Sequence, residues 1–148
     1  MLRLLLLLML TTTPLAGALA QQPTTDDSRQ LVTMPVPAQA AMRGDMLDHL
    51  AALNEILGYI SEGKWDTVAE TAEKRLGESI MGKHGVALRG QGPGRFMPDT
   101  MRSLGWTMHS SASRLAKVAK EGDTAKTLAA LQEVTATCVA CHMSYRTR

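Results

Sequence analysis

From Pro35 to Tyr145 the apolar residues of this 148-residue chain return every three or four positions, and no stretch alternates as a strand would. That period predicts an all-α protein. The first helix is read from the recurrence of Met46, Leu50, Leu53, Leu57 and Ile60, with Pro35 and Pro37 suited to its first turn and Gly63 to its end. A second is expected from about Asp66 to Met81, on Val68, Ala69, Ala72, Leu76 and Ile80. Residues Gly82–Pro98, rich in glycine, form a loop that is long for a small domain. A third helix starts at Asp99, marked by Met97, Met101, Leu104, Met108, Leu115 and Val118, and stops at Gly122. Asp123 caps a fourth, whose stripe is Leu128, Leu131, Val134, Cys138, Cys141/His142 and Tyr145. Four helices with mostly short connections predict an antiparallel four-helix bundle.

Ahead of the bundle, Arg3 precedes the apolar run Leu4–Leu10, and small residues stand at Ala18 and Ala20. The run is shorter than the roughly 20 apolar residues needed to span a bilayer. It reads as a cleaved export signal over residues 1–20, followed by a polar, mobile lead-in over 21–34 and the folded domain over 35–148. Removing Arg3 with the signal leaves 15 basic residues against 14 acidic ones. Without a dense basic run, that balance gives no footing for nucleic-acid binding. No membrane attachment is expected after cleavage.

Aromatic residues make up only 3% of the chain, whereas methionine occurs ten times. A core so poor in rings must be filled by aliphatic side chains and Met, or by something the gene does not encode. The two cysteines indicate what. They stand together as Cys138-Val-Ala-Cys141-His142, the C-x-x-C-H pattern of covalent haem attachment. On a helix the two thiols sit one turn apart on one face, where they can add to the vinyl groups along one porphyrin edge. His142, four residues after Cys138, stays on that face as proximal iron ligand.

Other uses of the motif fit less well. A thioredoxin-type pair sits after a strand at a helix N-terminus, where the dipole activates a thiol; this pair lies near a helix C-terminus. Zinc would need Cys138, Cys141, His142 and one of His49, His84 or His109, without the second ligand pair that structural sites carry. A disulfide would leave His142 idle. Scattered carboxylates and the absence of a nucleophile–base spacing give no sign of an enzyme.

The order of four helices, a C-terminal Cys138-x-x-Cys141-His142 and the following Tyr145-Arg146 resembles class II c-type cytochromes, the cytochrome c′ and cytochrome c556-like family. The likeness runs from about Pro35 to Arg148. It implies a periplasmic bundle holding one haem c between helices one and four, near the C-terminal end of helix four. It also implies redox protein partners or a diatomic gas, NO or CO, and allows a homodimer.

Function then turns on the residue opposite His142. In an antiparallel bundle it comes from the early turns of helix one. Met46 opens the central stripe and is the expected distal ligand, with Met42 one turn earlier as substitute. A His/Met pair gives a low-spin iron suited to electron transfer. The family's Arg four residues before the distal position, placed on Arg43, instead puts Leu47 over the iron and leaves it five-coordinate. His49 reads as a core-edge histidine; His84 and His109 read as surface or supporting groups. Arg146, four residues after His142, is expected on the same helical face, against the proximal side or a haem propionate. Tyr145 is expected to pack against the ring.

Overall fold

A computed structural model describes residues 27–148, so the expected export signal and residues 21–26 of the lead-in lie outside the described residues. Four α-helices form an all-α bundle: α1 (Val36–Ser61), α2 (Trp65–Thr71), α3 (Asp99–Ala119) and α4 (Thr124–Ser144). Among the described residues no helix is long and apolar enough to cross a membrane.

Helix boundaries follow local chemistry. Pro35 and Pro37 occupy the entry of α1, where a missing N–H costs nothing. At its exit Gly63 adopts a left-handed φ of 68°; its N–H donates to Ile60 O and that of Lys64 to Tyr59 O, which satisfies the last carbonyls. Asp123 caps α4 by accepting from the Lys126 N–H at 3.0 Å. The chain folds back at Gly122, so that Arg114 on α3 pairs with Glu133 on α4 and Thr100 near the start of α3 reaches Tyr145 after the end of α4.

Three expectations need correction. The buried face of α1 is not the Met46–Leu50–Leu57 stripe. Ala38, Met42, His49, Ala52, Ile56 and Ile60 face inward, while Leu50 and Leu57 are 66% and 52% exposed. The helix carries two apolar faces, and the inner one is the face whose alanines let neighbouring helices approach. Met46 therefore stands at the edge of the buried face, 37% exposed.

The second helix is also shorter than its stripe suggests. After Thr71 it widens into a π-helical turn at Ala72–Leu76, breaks at the extended Gly77, and ends in a 3₁₀ turn, Glu78–Ile80. Glu73 holds the break: its carboxylate accepts from the Ser79 N–H, and its carbonyl from the Ser79 hydroxyl. A Cβ at position 77 would lie 2.6 Å from the Glu73 carbonyl oxygen, so only glycine fits. Arg75 clamps the π turn to α1, with Nη2 on Asp48 and Nη1 on Glu55, both at 2.6 Å. Its guanidinium holds the Asp48 carboxyl below the usual carboxylate range.

The third concerns the ends. Residues 27–34 are not a loose lead-in. Gln30–Leu31 (β1) pairs in parallel with Tyr145–Arg146 (β2), and the Val32 N–H continues the ladder to Arg146 O at 2.8 Å. Val32 and Met34 are buried with Ala38, Met42 and Met101, and Cys141 and Tyr145 pack against that cluster. A larger core, built on Ile56, Val68, Leu76, Leu115 and Val134, fills the remainder of the bundle.

Two outcomes check this packing. Ile56→Ala should cost about 2–5 kcal/mol in denaturant unfolding, as buried truncations do, whereas Leu50→Ala should stay within about 0.5 kcal/mol. The Asp48 carboxyl is lowered in the folded state, so its contribution is complete above the ordinary carboxylate range and lost as pH falls through the lowered value. The stability gap between wild type and Asp48→Asn should therefore close on acidification, read from unfolding midpoints across pH.

Candidate haem site

α4 carries Cys138 and Cys141 one turn apart, both half-buried and unbridged. They border, with His142, a cavity of about 550 Å³. The cavity lies between the C-terminal turns of α4, the first half of α3 and the early turns of α1. Its apolar wall is largely methionine: Met42 and Met46 from α1, Met97 just before α3, and Met101 and Met108 from α3. Half of the chain's ten methionines thus converge here, where flexible thioethers can shape themselves to a large flat group.

The thiols are poor nucleophiles in this setting. Burial pushes the Cys138 thiol above its ordinary pKa, and burial together with the neighbouring Cys138 does the same to Cys141. Cys138 Sγ lies 3.5 Å from Val134 O, one turn back along the helix. Neither thiol has the electropositive surroundings of a redox-active pair. Among the described residues no three His, Cys, Asp or Glu side chains converge as a metal site. An apolar cavity with two neutral thiols and an exposed imidazole on one wall is the donor set that haem c requires.

Of the other residues singled out from sequence, Met46, Met42, Arg43 and Leu47 all line this cavity. Arg146 lines it too, but not from the helical face expected of it. The helix ends at Ser144; Tyr145 is extended (φ −130°, ψ 150°) and Arg146 belongs to β2. Pairing with Gln30–Leu31 draws the chain out of its helix, and Arg146 Nε then donates to Arg29 O at 3.3 Å and faces Asp27 at 3.5 Å. Tyr145 is half-buried on the cavity wall, its hydroxyl bonded to Thr100.

Arg29 is the residue that sequence reasoning missed. Its Nη1 donates to His142 O at 3.3 Å, and it lines the cavity from a segment read as a mobile lead-in. A basic side chain in a polar tail gives no periodic signal by which to find it. His84 accompanies the glycine-rich loop, with Nε2 2.8 Å from Asp45, and does not reach this cavity. His109 donates Nδ1–H to Leu76 O at 2.7 Å. His49 is buried and lies edge to face with His109 at 6.1 Å between centroids.

Residues 97–146, which span α3, α4 and the motif, match the family model for Cytochrome C'. The α3–α4 hairpin is thus similar to that of cytochrome c′ proteins. The match is consistent with a class II c-type cytochrome, and proteins of the family bind haem c covalently. No curated protein and no solved structure matches the chain. Since the matched segment carries both cysteines and His142 but not α1, it accounts for the attachment wall and leaves the opposite wall to this chain's own residues.

The raised thiol pKa values give a direct check. In haem-free protein, alkylation of Cys138 and Cys141 by iodoacetamide should follow a pH curve displaced upward from that of free cysteine. A curve displaced downward, measured by mass spectrometry, would mark an activated redox pair instead.

Proposed function

We infer that the protein is an exported, periplasmic mono-haem c-type cytochrome that passes single electrons between redox protein partners and is not an enzyme. The observation that carries this reading is the pairing of walls across one cavity: Cys138, Cys141 and His142 on α4, and the thioethers of Met42 and Met46 on α1. Bound haem would supply an iron centre that gains and loses one electron.

The chain's own residues account for the rest. Cys138 and Cys141 would hold the group through two thioether bonds, and His142 would supply an imidazole nitrogen to its iron. Arg29, by holding His142 O, keeps the last turn of α4 from fraying. Met46 is proposed as the sixth ligand because it stands at the cavity edge, free to swing inward. Met42 is already committed to the cluster around Val32 and Met101. A thioether and an imidazole together would raise the potential of a haem iron and keep it low-spin. Arg146 remains a candidate for a haem propionate through the guanidinium face not used by Arg29 and Asp27.

One observation favours a second reading. Arg43 and Leu47 line the same cavity four residues apart, so an apolar Leu47 over the iron would leave it five-coordinate and open to NO or CO. Met46→Ala separates the two. If Met46 is the ligand, the variant should lose its low-spin spectrum and its potential should fall, while Leu47→Ala changes neither. If Leu47 shields an open site, Met46→Ala should leave the spectrum intact and Leu47→Ala should alter CO binding.

A further inference from the structure

Charge is distributed unevenly along the bundle. Thr100 at the start of α3 meets Tyr145 after α4, and Gln39 at the start of α1 reaches Thr147, so residues 27–48, 81–109 and 134–148 share the cavity end. That end carries eight basic side chains against four acidic ones, and the rest of the described chain seven against nine. The four acidic groups are already taken: Asp27 by Arg29 at 2.8 Å, Asp45 by Lys83 at 2.8 Å, Asp48 by Arg75 at 2.6 Å and Asp99 by Arg102 at 2.6 Å. Four arginines, Arg29, Arg43, Arg146 and Arg148, line the haem cavity, and no aspartate or glutamate does. The two propionates of a haem would offset half of this end's surplus and bring the described chain as a whole close to neutrality.

Beside the attachment cysteines the surface is instead uncharged. No Asp, Glu, Lys or Arg stands between Glu133 and Arg146. Val139 and Met143, four residues apart on one face of α4 and each next in sequence to Cys138 or His142, are 55% and 74% exposed. Leu47, on the α1 wall of the same cavity, is 70% exposed. Large apolar side chains at a cavity mouth, rimmed by charge, have the anatomy of a docking surface. A second copy brought to this face would set one positive end against another, and like charges across an interface repel. A partner whose own apolar contact is ringed by carboxylates meets both features.

We propose that the lip of the haem cavity, centred on Val139 and Met143 and rimmed by the four arginines, is the docking surface for an acidic redox protein. The proposal rests on the electron-carrier reading above and names the chemistry of its partner. The positive end turns an acidic protein toward the cavity during approach, which raises the encounter rate. The apolar centre then holds the pair briefly, over the small area of weak redox encounters. In the exchange one electron leaves the reduced cytochrome and enters the partner's oxidised centre; no bond forms and no proton moves.

The test oxidises the reduced, matured protein in stopped flow with three one-electron oxidants: plastocyanin as an acidic protein, ferricyanide as a small anion and tris(phenanthroline)cobalt(III) as a small cation. Ionic strength is raised from about 0.01 to about 0.15 M, which shortens the screening length from about 30 to about 8 Å. The proposal predicts a plastocyanin rate constant that falls about tenfold, a smaller fall for ferricyanide and a rise for the cobalt complex. Net charge alone, being near zero, predicts no slope of either sign. Val139→Ser combined with Met143→Ser should slow plastocyanin about threefold or more at fixed salt and leave ferricyanide unchanged. A plastocyanin rate that ignores salt or rises with it overturns the proposal, as does a double variant, at unchanged haem content, that reacts with plastocyanin like wild type. Dimerisation in sedimentation that the double variant abolishes gives the patch to a second copy and overturns it too. The salt series uses wild type only, so a misfolded variant cannot rescue the idea. Protein without covalent haem by intact mass would defeat the carrier reading and this proposal together; haem-bearing, reversibly reduced protein with the wrong slope defeats the proposal alone.

Discussion

Everything at the functional end of this molecule depends on how the last turns of α4 are anchored. A helix C-terminus frays unless its carbonyls find partners. Here the closing residues are drawn into a strand pair with a segment more than a hundred positions earlier, and Arg29 from that segment holds the carbonyl of His142. The same pairing buries Val32 and Met34 against Met42, Met101 and Cys141, so the wall that bears the thiols and the wall that bears the thioethers are tied into one cluster. Protein interiors are close-packed, and the bundle obeys that at the Gly122 end, around Leu115 and Val134. At the other end it spends its flexible side chains, the methionines, on the boundary of a cavity.

Much of this was legible in the residues. The 3.6-residue period gives the all-α fold, and the C-x-x-C-H pattern near the end of the last helix points to haem c and to the wall we propose for it. α3 is read closely because it has one dominant apolar stripe, and α4 only in part: Leu131 and Val134 are buried as expected, but Leu128 is 42% exposed and Tyr145 lies beyond the helix. α1 is not, since its larger residues, Leu47, Leu50 and Leu57, lie on one face and its alanines on another. Size favours the first face in a reading of sequence; close helix approach favours the second in the fold. The break after Thr71 is equally hidden, because it relies on the Glu73 carboxylate replacing a backbone acceptor and on the absence of a Cβ at Gly77. The displacement of Arg146 from its expected face follows from a contact that no local pattern encodes.

The family model matches α3 and α4, which carry the motif, whereas α1 and most of the glycine-rich loop lie before the matched segment. There Met46, Leu47 and His49 stand within one turn of one another. Each offers a different chemistry to the cavity that they line with His142: a soft ligand, an apolar shield and an imidazole. Of the three, we propose the first for the iron.

The most direct test of the central claim is the visible absorption spectrum of the matured, purified protein, oxidised and then reduced with dithionite. A covalently held, six-coordinate centre predicts narrow, separate α and β bands on reduction. A broad, merged band would contradict the electron-carrier account and mark an open, high-spin site.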